Sequence, residues 1–592
     1  MINSRGTRRR LALTVIALFA VFAVFVVRLV DIQVVRADEL AGNAADHRTR
    51  EATIYGTRGS IVDTNGVILA DSVERFDVTA SPMHVDFATT FITRDGERVE
   101  VPTSEALAEL GAITGADPVE LQTSLTEALA TNPDSNFAYL VRAVTLDVFE
   151  QVRALGITWV YSELHPARTY PSGAVAGNLV GFLGTDEPLA GVERYMDSCL
   201  AATPGTTVYE AGADGTPLPG TVTTTEQAVD GGSVRLTIDS DLAWYVQQVL
   251  ADQAGAVGAE WATGFVVRVS DGHVMAAADW PSVDPNDLNA LDPEDMGARS
   301  FVSPYEPGSI LKPFTFAGLV DEGLVSYDER LTVPAQYTEG LPSGWVITDA
   351  WFHGDTRWTA AGVLADSSNI GTSMLSVRQS AEDRRANLLA FGFDQKTDVG
   401  FLAEDPGRVL ELSEIDAMTN VTQQFGQGMT ATSAQIASAY QALGNGGVRM
   451  PLTLVEGCEY PDGRMVSAPP ADPVRAVGEE AADATVKVME QVVSQGSLST
   501  LVRFPGYRVA AKTGTAQVAQ SGRYGSERIV SVAGLVPADA PEYVVVVTIA
   551  KPDTMRTSAA AAPAFEAVVK QVIKTFRIPP SSKNSPVVAL TW

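Results

Sequence analysis

The sequence predicts a mixed α+β protein of at least two domains behind a single apolar N-terminal helix. Three observations predict it. The chain has 592 residues, 45% of them hydrophobic, which is too long for one core and rich enough for a sizeable interior. An uninterrupted apolar run, Leu11 to Val27, follows Arg5, Arg8, Arg9 and Arg10. In the C-terminal part, β-rich runs at both ends enclose a helical middle, the pattern of a mixed sheet packed between helices.

The apolar run spans roughly 25 Å as a helix, and Leu29 and Val30 extend it once Arg28 snorkels. Basic residues before it place residues 1–10 in the cytoplasm and everything beyond residue 30 outside. No A-x-A site follows closely, so the segment 11–30 reads as an uncleaved, single-pass signal-anchor in the cell membrane.

Residues 31–230 form the next region. "TRGSIVDTNGVILADS" (57–72) reads as a hairpin about Asn65-Gly66. From about 86 to 157 the pattern turns largely helical, as in "SEALAELGAITG" and "LDVFEQVRALGI", and predicts a compact inserted lobe. Short strands and turns lead from there to a boundary near Asp230-Gly231-Gly232.

Residues 231–578 form the second domain. "SVRLTIDSDLAWYVQQVLADQ" gives a strand and an amphipathic helix, and "ATGFVVRVSDGHVMAAADWPS" two strands about Asp271-Gly272. "YRVAAKTGTAQVA", "IVSVAGLVPA" and "EYVVVVTIAKP" are three further strands before the helical "APAFEAVVKQVIKTF". Residues 579–592, polar and Pro-rich at first, read as a loose tail.

A formal charge of −30 without a long basic block argues against nucleic acid as a partner. The five histidines show no metal-ligand spacing, and no cofactor is called for. Cys199 and Cys458 are far apart in sequence and read as two buried, unpaired thiols, a single bridge being the alternative.

The chemistry-bearing stretch is "EPGSILKPFTF" (306–316). A helix starting at Pro307-Gly308 puts Ser309 and Lys312 on one face, a nucleophile beside a base at the positive end of a helix. Two letters are a weak signal, but two more constellations follow in order. Ser367-Ser368-Asn369 lies in a predicted loop and Lys512-Thr513-Gly514-Thr515 on a predicted strand. S-x-N recurs at Ser582-Lys583-Asn584, so it is the ordered trio that is specific.

With "RGSIVDTNGVILA", "RTYPSG…GFLG…GVERYMDSCL" and "GQGMTATSAQIASAYQALGNGG", the chain resembles a class B penicillin-binding protein, a peptidoglycan D,D-transpeptidase. It is most similar to the division-specific, FtsI-like subfamily of actinobacteria; elongation-type relatives share most of these motifs. One departure is Thr432-Ser433-Ala434-Gln435, where many relatives have Thr-Pro before Leu-Gln.

The resemblance implies an elongated mixed pedestal of the penicillin-binding-protein dimerisation type over 31–230. It also implies a transpeptidase domain with a central antiparallel β-sheet packed between helices. It assigns catalytic roles to Ser309, Lys312, Ser367, Asn369 and Lys512, and substrate binding to Thr513, Gly514 and Thr515. On this reading Lys312 is kept neutral both by burial and by the positive Lys512. Implied partners are peptidoglycan stem peptides, β-lactam antibiotics, a SEDS-type, FtsW-like glycosyltransferase and other divisome membrane proteins. Competing readings are a D,D-carboxypeptidase, a β-lactamase and a catalytically silent, β-lactam-binding assembly factor or sensor.

Overall fold

The computed structural model describes residues 4–184, 187–212, 218–288, 292–397, 399–401, 403–467, 472–520 and 523–592. The apolar run lies in a helix, Ser4–Val30, long and apolar enough to cross a membrane, with Leu11, Phe19 and Phe25 each about two-thirds or more exposed.

Two compact units divide the chain, and they do not follow a linear boundary at residue 230. The first comprises Met1–Thr57, Phe76–Pro166 and Ala202–Asp230; the second comprises Arg58–Arg75, Ala167–Ala201 and Gly231–Trp592.

In the first unit, Thr49–Ile54 pairs antiparallel with Gly205–Glu210. The lobe is less helical than its sequence predicts. Helices Thr103–Thr114, Pro118–Thr131 and Leu146–Ala154 are present, but so is the hairpin Thr89–Arg94/Glu97–Pro102. Its strands are rich in Thr, Val, Phe and Ile about the turn pair Asp95-Gly96, a hairpin signature that the longer helical runs obscured. A three-stranded sheet places Phe76–Ala80 between Ala138–Val144 and Val160–Leu164. Leu107, Leu110, Leu121, Leu125 and Trp159 fill the core beside it.

In the second unit, the hairpin read at Asn65-Gly66 is Ile61–Val62 against Ile68–Val73. It belongs to a six-stranded sheet that also takes Ser233–Leu236 and Val455–Glu459. The strand of "SVRLTID" therefore joins this sheet, not the central one. Here Glu193, wholly buried, accepts from Arg58 (2.8 Å) and Arg168 (2.6 Å). The buried carboxylate is thus compensated by two guanidinium groups, as burial demands.

The expectation of two free thiols is overturned: Cys199 and Cys458 form a disulfide. The sheet brings them together across 259 residues, because Cys458 lies opposite Val234 while Gly232 N–H donates to Cys199 O at 2.8 Å. Separation along the chain carried no information about that meeting.

The central sheet has five antiparallel strands in the order Val274–Trp280, Trp261–Arg268, Tyr543–Ala550, Arg523–Val536, Ala510–Gln520. Every residue of Tyr543–Ala550 is buried. The period of two sends Val545 and Val547 into one core with helices Ser240–Val257 and Ala562–Thr575. Val544 and Val546 enter the other, with Phe314 and helix Ser433–Gly444. The departure at Thr432–Gln435 builds that helix's start: Gln435 N–H donates to Thr432 Oγ1 (3.2 Å) and Gln435 Oε1 accepts from Thr432 N–H (2.9 Å), a capping box.

The C-terminal segment is docked rather than loose. Val588 is buried, Leu590 O accepts from Thr359 N–H (3.0 Å), and Gln491 Nε2 donates to Pro586 O (2.9 Å). Its apolar end, "VVALTW", outweighs the polar start that suggested a tail.

Candidate active site

Ser309 sits in a single 3-10 turn, Gly308–Leu311, which runs directly into the α-helix Lys312–Asp321. The helix start read from the sequence is thus a tighter turn followed by a helix with Pro313 in its first turn, where a missing donor costs little. Phe314, fully buried, anchors the turn against Phe391 (4.8 Å), Phe393 (5.5 Å) and Tyr440 (5.2 Å). Tyr440 O–H donates to Ile310 O at 2.9 Å.

Two glycines let backbone approach backbone here. Gly426, at φ +83°, accepts from Gly308 N–H (2.9 Å), and a Cβ on it would lie 2.2 Å from Gly308 O. A Cβ on Gly514 would lie 2.5 Å from Ser531 Oγ and 2.9 Å from Ile310 Cγ2. Any larger residue at either place would push the serine turn away from its neighbours.

The three motifs converge. Lys312 Nζ donates to Ser367 O (2.5 Å) and Asn369 Oδ1 (2.8 Å) and lies 3.3 Å from Ser367 Oγ. Lys512 Nζ donates to Ser367 Oγ (2.8 Å) and Thr513 O (3.1 Å). Ser367 therefore bridges two amines. It stands at φ +63°, a left-handed conformation held between helices Ala360–Ala365 and Asn369–Ser376. Lys312, Lys512 and Thr513 are buried, Ser309, Ser367 and Asn369 are half-buried and Thr515 is exposed, so the hydroxyls and the amide face the cleft while both amines lie beneath it. Among the described residues, Ser309 Oγ makes no hydrogen bond to Lys312 Nζ.

Burial lowers the Lys312 ammonium from 10.5 to about 7, and the negative Asp349 partly opposes this. Burial also depresses Lys512, and there the repulsion from Lys312 adds to it. The expected repulsion is present, but it falls on Lys512; at Lys312 burial is the cause. A neutral Lys312 has two N–H groups, matched by Ser367 O and Asn369 Oδ1, which leaves its lone pair for a hydroxyl proton.

Several contributors carry no motif and were missed. Asp349, fully buried, accepts from Ser368 Oγ (2.6 Å), Asn369 N–H (2.5 Å) and Ile370 N–H (3.0 Å). Ser368, the middle letter of the triplet, caps the next helix by accepting from Gly371 N–H (2.8 Å). Glu306 accepts from Gly428 N–H (2.9 Å) and Tyr524 O–H (3.0 Å). Glu306 was in view at i−3 from the serine; nothing in its spacing marked Asp349.

Residues 262–570 match the penicillin binding protein transpeptidase domain, and residues 53–188 the penicillin-binding protein dimerisation domain. The chain is 30% identical over 584 residues to the penicillin-binding protein PbpB of Mycolicibacterium smegmatis, covering 95% of this chain and 90% of that one. It is 28% identical over 560 residues to the peptidoglycan D,D-transpeptidase FtsI of Escherichia coli, covering 94% and 90%. Among solved structures it resembles penicillin-binding protein 3 of Mycobacterium tuberculosis complexed with ampicillin. There the TM-score is 0.69 and the identity 27%, over 91% of this chain and all of that one. The match spans both domains and more than half of the chain: the protein belongs to the penicillin-binding protein transpeptidase family, in its class B.

Proposed function

We propose that the protein is a peptidoglycan D,D-transpeptidase that crosslinks stem peptides during septal wall synthesis through an acyl-enzyme on Ser309. The observation that carries this is the bridge Lys312–Ser367–Lys512, two buried amines on one hydroxyl beside a solvent-reachable serine.

Ser309 Oγ attacks the carbonyl between the two terminal D-alanines while Lys312 takes its proton. Backbone N–H groups of Ser309 and Thr515 hold the oxyanion. Ser367 relays the proton to the departing D-alanine amine, the C–N bond breaks, and the ester on Ser309 remains. Asn369 holds the substrate's peptide amide; Lys512, Thr513 and Thr515 fix its carboxylate, and Gly514 lets the strand approach. An amine of a neighbouring stem peptide then attacks the ester, forms the crosslink and returns the proton to Ser309. β-Lactams acylate Ser309 by the same first step, their strained ring standing in for the amide. The relatives' names and the ampicillin complex support this chemistry.

The apolar helix is the anchor, with residues 1–10 inside the cell and everything beyond residue 30 outside. Residues 31–230 serve as the pedestal and, with the anchor, bind an FtsW-like glycosyltransferase and other divisome membrane proteins.

A donor ending in D-alanyl ester, offered with a D-amino acid acceptor, tests the reaction. Aminolysis product dependent on Ser309 is expected, and hydrolysis alone would turn the assignment to a carboxypeptidase. A fluorescent fusion should concentrate at the septum; signal spread along the side wall would favour the elongation role.

A further inference from the structure

The loop that precedes the Ser367–Asn369 triplet carries a buried acid and an imidazole that no motif includes. Asp349 Oδ1 accepts from Asn369 N–H and Ile370 N–H, and its Oδ2 from Ser368 Oγ. Four polar atoms meet on this carboxylate, for His353 Nε2 lies 3.0 Å from the same Oδ2. His353 Nδ1 lies 2.7 Å from Gly354 O and 3.3 Å from Thr356 Oγ1, so acceptors face both of its nitrogens. The ring is held between Trp351 and Trp358, at 6.3 and 5.3 Å. The loop also receives the bond from Asn369 Nδ2 to Thr348 O (3.2 Å).

We propose that Asp349 is a positioning residue for acylation: pinned by His353, its carboxylate fixes Asn369 against Lys312 and acts on that base with its charge. The proposal rests on the transpeptidase reading and adds a residue pair to it. Mechanically, Asp349 holds the N-terminal turn of helix Asn369–Ser376 through three donors, and that turn carries Asn369 Oδ1 to Lys312 Nζ. A carboxylate is the best partner for unpaired N–H groups at a helix start.

Electrostatically, the charged groups that bear on Lys312 have opposite effects. Asp349 favours its protonated form, which burial opposes. Lys512 stands across Ser367 Oγ, and Asp366 in turn favours the charged form of Lys512. Removing the Asp349 charge must therefore make Lys312 easier to deprotonate.

Asparagine tests this with little change of shape. Its carbonyl oxygen can accept from the two backbone N–H groups, and its amide can face Ser368 Oγ and His353 Nε2, which then act as acceptors. The measurement is the rate of labelling of the full-length protein in detergent by a fluorescent penicillin, as a function of pH. In the unaltered protein the rate is expected to rise through about pH 7, where Lys312 loses its proton. Asp349→Asn is expected to lower the plateau roughly tenfold through loss of charge-assisted bonds and to move the rising limb to lower pH. At acid pH it then keeps a larger share of its own plateau than the unaltered protein does.

A lowered plateau with an unmoved limb would make Asp349 merely structural and overturn the proposal. His353→Ala should lower the plateau about fivefold by freeing Asp349, and His353→Gln, which restores a donor, should recover most of it. Equal plateaus for His353→Ala and the unaltered protein would remove the imidazole from the account, and this pair decides the matter if Asp349→Asn does not fold. Labelling that survives Ser309→Ala is a different failure, that of the transpeptidase reading itself.

Discussion

Lys312→Met separates what the buried amine costs from what it does. Lys312 is 1% exposed, and burial brings its ammonium from 10.5 to about 7. At about 1.4 kcal/mol per pH unit this corresponds to roughly 5 kcal/mol. Between pH 7 and 10.5 the unfolded chain holds a proton that the folded protein lacks, so the protein gains stability as pH rises through that window. The cost is fully present below about pH 7. Methionine keeps the volume, removes the titration and takes the donor from Ser367 O and the half-buried Asn369 Oδ1, together at about 1–3 kcal/mol. The variant is therefore expected to be more stable by about 2–4 kcal/mol near pH 6 and to lose roughly 3 kcal/mol of that advantage by pH 9. Urea unfolding at the two pH values, followed by tryptophan fluorescence, measures the difference. An advantage that changes by less than about 1 kcal/mol would refute the claim that Lys312 is neutral because it is buried. Penicillin labelling of the variant should be lost at both.

Gly426→Ala places a Cβ 2.2 Å from Gly308 O at a left-handed backbone position. It is expected to cut the labelling rate at least tenfold and to destabilise by about 2 kcal/mol; an unchanged rate would mean that the Gly308 turn does not depend on this approach. Replacing Cys199 and Cys458 by serine opens a link across 259 residues. A loss of about 2–5 kcal/mol should show as a lower unfolding midpoint, matched by adding reductant to the unaltered protein. No change under either treatment would contradict the bridge.

The fold was legible wherever the pattern was local. Tyr543–Ala550 and Trp261–Arg268 announce themselves as continuous apolar strands, and the hairpins at Asn65-Gly66 and Asp271-Gly272 by their turn residues. What depended on long-range pairing was not. The Cys199–Cys458 meeting, the transfer of Ser233–Leu236 to a second sheet and the docking of "VVALTW" are set by contacts hundreds of residues apart. The site divides the same way. Ser309, Lys312, Ser367, Asn369 and Lys512 carry distinctive side chains at fixed spacings, and the fold brings them together. Asp349 and Gly426 act through backbone N–H and C=O groups, which leave no trace in spacing.

The central claim is that Ser309 is the nucleophile. The intact mass of the protein after penicillin treatment, followed by mapping of the modified peptide, tests it most directly. The account predicts one acyl group, on the peptide containing Ser309, and none after Ser309→Ala. An adduct on any other residue, or one that persists in that variant, would contradict it.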